Sequence, residues 1–452
     1  MKPLSLAVLL VLCCTITIQA RQLPKKNPVV VKIMNEISAK NIQATVEKLV
    51  GFGTRHTLSD TVSDVRGVGA ARRWIKSEFE RYARESGGKM TVESHETLVP
   101  PSARVPRPAN VVNVVATLRP EPSDHSAPER VLVIGGHYDT RASNPMDSVG
   151  IAPGANDDGS GTALTMELAR VMSKFKFDAT IVFMAFCGEE QGLLGAAAWA
   201  EMAKQKRWNV EAVFNNDIVG NSIGAEGKRE NKHVRLFSEA FSPLDTGSVF
   251  RQRISQGLEN DGGSRTLARY IKELAERYNP KFGVKLVYRL DRFLRGGDHR
   301  PFHERGFRAV RFSVVMENYD WQHQDVRVEN GKEYGDLVKF MDFDYCANVA
   351  KANAAALATL ASASAPPSNA GLLTAQLGYD TVLRWNRNKE SDVAGYCVRY
   401  RETSSPVWQH QVFTTDTTIT LKVSKDEFLF GVQAIDTEAN VSLVTIPRPV
   451  GR

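Results

Sequence analysis

Two unbroken apolar runs constrain this chain more than any other feature. Val131-Leu132-Val133-Ile134-Gly135-Gly136 and Thr180-Ile181-Val182-Phe183-Met184-Ala185-Phe186 show no alternation of apolar and polar residues. A strand with one face in water alternates, whereas a strand covered on both faces does not. Residues Thr162 to Phe175 between them read as a helix, and the succession strand, helix, strand recurs along the chain. The expected fold is therefore α/β, a three-layer αβα domain built on a mostly parallel mixed sheet. Further strands are expected at Met90–Ser94, Asn110–Thr117 and residues 308–315. Helices are expected at Asn41–Val50, Gly67–Glu85 and Thr266–Tyr278, with a long Ala-rich one within Gly331–Leu360. Residues Gly220 to Gly263 are rich in Gly, Asn, Ser and charges without a clean period, and read as a long surface excursion that forms a site wall.

With 452 residues the chain is too long for one ordinary core. Residues 362–371, Ser-Ala-Ser-Ala-Pro-Pro-Ser-Asn-Ala-Gly, have linker composition. Beyond them the apolar period becomes two in short segments (Thr381–Trp385, Gly395–Arg401, Val412–Thr414, Thr418–Leu421, Phe428–Ala434), which predicts an all-β sandwich over 372–452. At the other end Lys2, the apolar stretch Leu4–Ile18 and Ile18-Gln19-Ala20 read as a secretory signal peptide over 1–20, too short for a spanning helix. That leaves 21–361 as the α/β domain of a secreted or periplasmic protein with no later membrane segment. Cys187, Cys346 and Cys397 remain beyond the signal, an odd and widely spaced set that is not a disulfide framework. The formal charge of +7 comes from Lys and Arg mixed with Asp and Glu, which is a solvated surface and not a nucleic-acid footprint.

Four motifs at sheet edges carry the chemistry. They are Gly135-Gly136-His137-Tyr138-Asp139-Thr140, Pro153-Gly154-Ala155-Asn156-Asp157-Asp158-Gly159-Ser160-Gly161, Phe186-Cys187-Gly188-Glu189-Glu190-Gln191-Gly192, and Asn215-Asn216-Asp217-Ile218-Val219-Gly220. Open α/β sheets bind their ligands at the carboxyl ends of the strands. Singly, each motif is an ordinary turn, helix cap or solvated helix start. Together they place one His and several carboxylates in one crevice, a donor set that suits Zn²⁺. Carboxylates so crowded repel unless cations lie between them, and two divalent ions about 3.5 Å apart would both neutralise them and clamp a water. Glu189 and Glu190 leave their strand end in different directions, so one can bind metal while the other handles protons.

This set resembles the co-catalytic dizinc aminopeptidase family of secreted bacterial enzymes, related to glutamate carboxypeptidases, over residues about 30 to 360. The resemblance implies two zinc ions per chain. His137 and Asp217 would bind one, Glu190 and His323 (in Gln322-His323-Gln324-Asp325) the other, and Asp157 would bridge them. It makes Glu189 the general base acting on the bridging water and Asp139 the residue that orients His137. Asn156 stands where some relatives carry Asp. His299, in Gly297-Asp298-His299-Arg300-Pro301-Phe302, is expected to support the site and not to bind metal. His56, His95, His125, His233, His303 and His410 are read as ordinary polar residues. In the C-terminal region Trp385, Tyr396-x-Val398-x-Tyr400 and Phe430-x-Val432-x-Ala434-x-Asp436-x-x-x-Asn440-x-Ser442 resemble a fibronectin type III domain.

The function so implied is hydrolysis of the N-terminal peptide bond of peptides or proteins, with the sandwich domain contacting a polymer or cell surface. Three alternatives stay open. A carboxypeptidase or dipeptidase on the same scaffold would use Arg292, Arg295 and Arg300. A glutaminyl cyclase would use a single zinc. A catalytically dead binding protein would act through its sandwich.

Overall fold

The computed structural model describes residues 26–120, 129–375 and 377–451. The segment read as a signal peptide, and His125, lie outside the described residues. Three helices open the fold: α1 (Pro28–Glu36), α2 (Ala39–Val50) and α3 (Gly67–Glu85). Eight strands then form one sheet: β1 (Met90–Val99), β2 (Ala109–Leu118), β3 (Arg130–His137), β4 (Thr180–Phe186), β5 (Asn209–Asn216), β6 (His233–Phe237), β7 (Gly283–Val287) and β8 (Ala309–Val314). Their order is β1-β2-β4-β3-β5-β8-β6-β7. The centre, β4-β3-β5-β8, is parallel. The β1-β2-β4 edge and the β8-β6 pair are antiparallel.

Alternate residues of the two apolar runs enter two different cores, which explains why neither run alternates. Leu132, Ile134, Ile181 and Phe183 join a core with α4 (Gly159–Met172), α7 (Gly263–Tyr278) and the long α9 (Phe343–Ser362). Val131, Val133, Val182 and Met184 face α5 (Leu194–Gln205), where Trp199 packs with Phe302 of α8 (His299–Glu304). Helix α9 is buried almost all round, and its run of fully buried alanines lets neighbouring helices approach closely. The expected α/β three-layer fold is thus observed.

The stretch 220–263 is not purely a surface excursion. It contains β6, whose Val234, Leu236 and Phe237 are buried in the main sheet, and the peripheral helix α6 (Gly247–Ser255), which buries none of its residues. Five residues of strand flanked by polar loops carry too little periodic signal to be read locally, and tertiary pairing with β8 decides the outcome. Helix α4 also begins three residues before its expected start, because the Asp158 side chain caps it by accepting from the Gly161 amide.

After α8 come a small hairpin, β9 (Arg327–Glu329) with β10 (Lys332–Tyr334), and then α9. The C-terminal region forms two further sheets. One is β15 (Thr418–Leu421), β12 (Thr381–Arg384), β11 (Gly371–Leu373) and β17 (Arg448–Val450); the other is β14 (His410–Thr414), β13 (Val393–Glu402) and β16 (Phe428–Asp436). Their facing side chains, among them Leu383, Trp385, Tyr396, Val398 and Val432, form a separate core. These sheets also lie against the α/β layers. Cys397, Ile435, Val441 and Leu443 belong to the same apolar cluster as α7 and α9. Asp261 accepts from both Arg269 of α7 and Arg401 of β13, and both guanidinium groups lie over the Trp408 ring. The segment of linker composition is itself packed, with Ala363, Ser364 and Ala370 buried and the Ala363 carbonyl accepting from Arg130. All three described cysteines are buried and free.

Candidate metal centre

The carboxyl ends of β3, β4 and β5 lie side by side, so His137, Glu189 with Glu190, and Asp217 emerge at one edge of the sheet. The N-terminus of α4 brings Asp157 and Asp158 to the same edge, and two glycines make that approach feasible. A Cβ on Gly136 would lie 2.5 Å from the Gly161 carbonyl carbon, and one on Gly161 would lie 2.0 Å from the Asn216 carbonyl oxygen. The Asp157–Asp158 peptide bond is cis.

The structure brings the five proposed ligands together. His137, Asp157 and Asp217 form one group of donor atoms, and Asp157, Glu190 and His323 a second, each within 4.8 Å of one another. Asp157 is common to both. Its Oδ1 lies 3.2 Å from His137 Nε2, and its Oδ2 lies 2.9 Å from His323 Nε2. His323 Nε2 also lies 2.8 Å from Glu190 Oε1. His323 is remote from Glu190 in the sequence, separated from it by α5, β5, β6, α6, α7, β7, α8 and β8.

The supporting contacts fix these groups. His137 donates its amide to Asp158 Oδ2 at 3.1 Å, accepts at its carbonyl from Thr162 Oγ1 at 2.8 Å, and sets Nδ1 3.0 Å from the Asp139 carbonyl oxygen. The Asp139 main chain, more than its carboxylate at 3.6 Å, therefore orients the ring. The Asp139 carboxylate accepts instead from Thr57 Oγ1 at 2.7 Å and from the Glu189 and Glu190 amides at 3.3 and 3.2 Å. It ties the end of β3 to the end of β4. Asn156 accepts from the Gly220 amide through Oδ1.

Several contributors carried no local sequence signal. Asp336 accepts from the Asn156 and Asp157 amides, Gln322 donates to Asp157 Oδ2 at 2.8 Å, and Arg141 sets Nη2 3.0 Å from His323 Nδ1. Arg55, fully buried, donates to the Leu49, Tyr138, Pro153 and Gly154 carbonyls and so staples the loop after β3. Burial lowers its pKa to about 10. Arg311 sets Nη2 2.7 Å from Asp217 Oδ1 and Nη1 2.7 Å from Asp291 Oδ2. One signal did exist for it, because a lone charge inside an otherwise apolar strand must find a partner.

His56 departs from the expectation of an ordinary polar residue. It is fully buried, its Nε2 lies 2.7 Å from Gln191 Nε2, and it braces the turn that carries Glu190. His303 is buried as well. His299 is fully buried with Nε2 2.8 Å from the Leu290 carbonyl oxygen, and burial lowers its pKa to about 4, so it stays neutral and supports the structure.

The electrostatics match the crowding. Burial raises the Glu189 carboxyl well above the usual range, reinforced by Asp217, Glu190 and Asp298. Burial likewise raises Asp158 and Asp217. Burial opposes a charged His137, yet Glu189, Asp139 and Asp157 outweigh it and raise its pKa. His137 Nε2 is buried and makes no hydrogen bond, although carboxylates surround it. An orphaned imidazole nitrogen facing two carboxylates is a donor set that a divalent cation fits. The centre opens into a cavity of about 700 Å³, on whose wall Glu189 lies beside Asp157, Glu190, Asp217 and His323.

Residues 113–330 match peptidase family M28. A probable zinc metalloprotease of Leptosphaeria maculans is 44% identical over 418 residues, covering 92% of this chain and 96% of that protein. One from Pyricularia oryzae is 42% identical, covering 92% and 84%. These relatives are fungal, whereas the motifs resemble secreted bacterial enzymes. Among solved structures, the LapA aminopeptidase of Legionella pneumophila superposes with a TM-score of 0.52 at 22% identity, over 75% of this chain and 76% of that one. An aminopeptidase from Aneurinibacillus sp. strain AM-1 gives 0.51 at 16% identity, over 74% and 96%. At such identities the likeness is one of fold.

Proposed function

This chain belongs to peptidase family M28, a family of zinc metallopeptidases, and from that premise we propose that it is an aminopeptidase that releases the N-terminal residue of peptides. The observation that carries the reading is the pair of donor groups sharing Asp157, with Glu189 free of both and on the wall of the same cavity. In the proposed assignment His137, Asp157 and Asp217 would hold one zinc ion, and Asp157, Glu190 and His323 would hold the other. Zinc, when bound, supplies a Lewis acid for the scissile carbonyl and lowers the pKa of a water. Glu189 accepts the proton of the attacking water at a carboxylate oxygen. As the carbonyl carbon gains that oxygen and the C–N bond breaks, Glu189 returns the proton to the leaving amine. The substrate's α-amino group lies at the acidic end of the cavity, near Asp217 and Glu189, which limits cleavage to the first residue.

Peptides with a free N-terminus are expected to be cleaved and their N-acetylated forms left intact, and a chelator is expected to abolish the activity until zinc is restored. Liquid chromatography of the products decides the matter. Release from the acetylated peptides would overturn the exopeptidase reading, and chelator resistance would overturn the metal.

One observation favours a second reading with a single zinc. Arg311 already occupies Asp217 Oδ1 at 2.7 Å, whereas no arginine lies so close to the carboxylate oxygens of Asp157 or Glu190 among the described residues. A cyclase-type enzyme would load only the Asp157–Glu190–His323 group. Elemental analysis separates the two readings, at two zinc ions per chain or one.

The proposed setting is extracellular or periplasmic, from the character of residues 1–20. N-terminal sequencing of the exported protein is expected to begin at Arg21, and retention of residues 1–20 would overturn it. The fibronectin type III-like pattern of the C-terminal sheets motivates a proposed role in contacting a polymer or cell surface, which co-sedimentation of the full chain with insoluble polysaccharide would test.

A further inference from the structure

The cavity over the metal centre has an acidic floor and a basic rim. The floor consists of the carboxylates assigned to metal and proton transfer. Six arginines line the rest: Arg104, Arg141, Arg292, Arg295, Arg300 and Arg311. Three of these are neutralised within the protein. Arg311 pairs with Asp217 and Asp291, Arg292 with Asp291 and Glu317, and Arg300 with Glu304.

Two of the others have no carboxylate partner among the described residues. Arg295 is half-buried, and its guanidinium faces the Tyr319 ring, with the centroid 5.9 Å away. Arg104, an exposed residue, reaches across from the β1–β2 connection to the cavity wall and donates to the Glu190 main-chain carbonyl at 2.9 Å, an acceptor without charge. Arg141 is intermediate, with Nε 3.5 Å from Glu190 Oε2. A half-buried guanidinium facing a cavity is stabilised by an anion, and its planar fork is matched to a carboxylate.

We propose that the rim, through Arg295 and Arg104, selects substrates that carry a carboxylate within one or two residues of the scissile bond on its leaving-group side. The inference rests on the aminopeptidase reading above. With the α-amino group at the acidic floor, the chain runs outward towards the rim. At about 3.5 Å per extended residue, only a carboxylate within one or two residues of the cleaved bond stays inside the cavity. That carboxylate has two sources, the C-terminal α-carboxylate of a di- or tripeptide and the side chain of an Asp or Glu following the bond. The first would make the enzyme a scavenger of very short peptides, placed after endopeptidases that produce them.

Three substrates separate the sources: X-Ala, X-Ala-amide and X-Asp-amide, where X is the residue released fastest from a panel of aminoacyl reporters. The zinc-loaded full chain is expected to show kcat/KM at least about tenfold higher for a carboxylate-bearing substrate than for X-Ala-amide, carried by KM. Preference for X-Ala identifies the α-carboxylate, and preference for X-Asp-amide the side chain. In the Arg295→Gln and Arg104→Gln double variant the ratio is expected to fall towards one, with Arg295→Lys keeping part of it. The preference is also expected to weaken as salt is raised. Equal kcat/KM for all three substrates overturns the inference and leaves the aminopeptidase reading standing. A ratio unchanged in the double variant overturns the assignment to these residues. No release from any substrate or reporter overturns the aminopeptidase reading, and the inference with it.

Discussion

Glu189→Gln is expected to lower kcat by about 10²- to 10⁴-fold while leaving the zinc content of the protein unchanged. The amide keeps the size and shape of the carboxylate but cannot take a proton from water or return it to the leaving amine. Glu189 belongs to neither group of donor atoms that would hold metal, whereas its neighbour Glu190 lies 2.8 Å from His323 and belongs to one of them. The adjacent substitution, Glu190→Gln, should therefore differ in kind, losing metal as well as activity. Steady-state kinetics and elemental analysis on the two variants read both effects. Near-normal turnover in Glu189→Gln would remove the general base from the proposed mechanism.

Asp261→Asn is expected to cost about 3–5 kcal/mol of stability. The carboxylate accepts from Arg269 of the α/β layers and from Arg401 of the C-terminal sheets, and all three side chains are almost fully buried. Asparagine removes the charge and leaves two guanidinium groups uncompensated away from water. Differential scanning calorimetry should show a clear fall in melting temperature, and a loss below about 1 kcal/mol would mean that the cluster is solvated. A triple variant guards against a trivial explanation. Replacing the triad by apolar residues of similar volume, Asp261→Leu with Arg269→Met and Arg401→Met, is expected to be less damaging than Asp261→Asn alone, because no buried charge is then left unmatched.

This cluster also bears on how the C-terminal region is understood. Residues 362–371 have linker composition, yet Ala363 and Ser364 are buried, and Tyr270 Oη donates to the Val441 carbonyl at 2.8 Å. Tyr288, in the stretch leading from β7 to Arg292 and Arg295, donates its hydroxyl to the Pro406 carbonyl at 3.0 Å. The C-terminal sheets thus touch the segment that forms the basic rim of the cavity.

The sequence by itself determined the layered α/β scaffold, because burial on both faces leaves an unmistakable trace: Leu132 and Val133 must both be apolar when each enters a different core. It also pointed to the groups proposed for the chemistry, since His137 ends a strand, Glu189, Glu190 and Asp217 follow one, and Asp157 precedes a helix at the edge where ligands bind. What only the tertiary structure decided is everything that depends on distance between remote segments. Strand β6 is fixed by its pairing with β8, His56 is buried against Gln191, Arg311 reaches Asp217, and the unmatched Arg295 and Arg104 face one cavity. Local pattern records which face of an element is dry. It does not record which charge, many residues away, lies across from it.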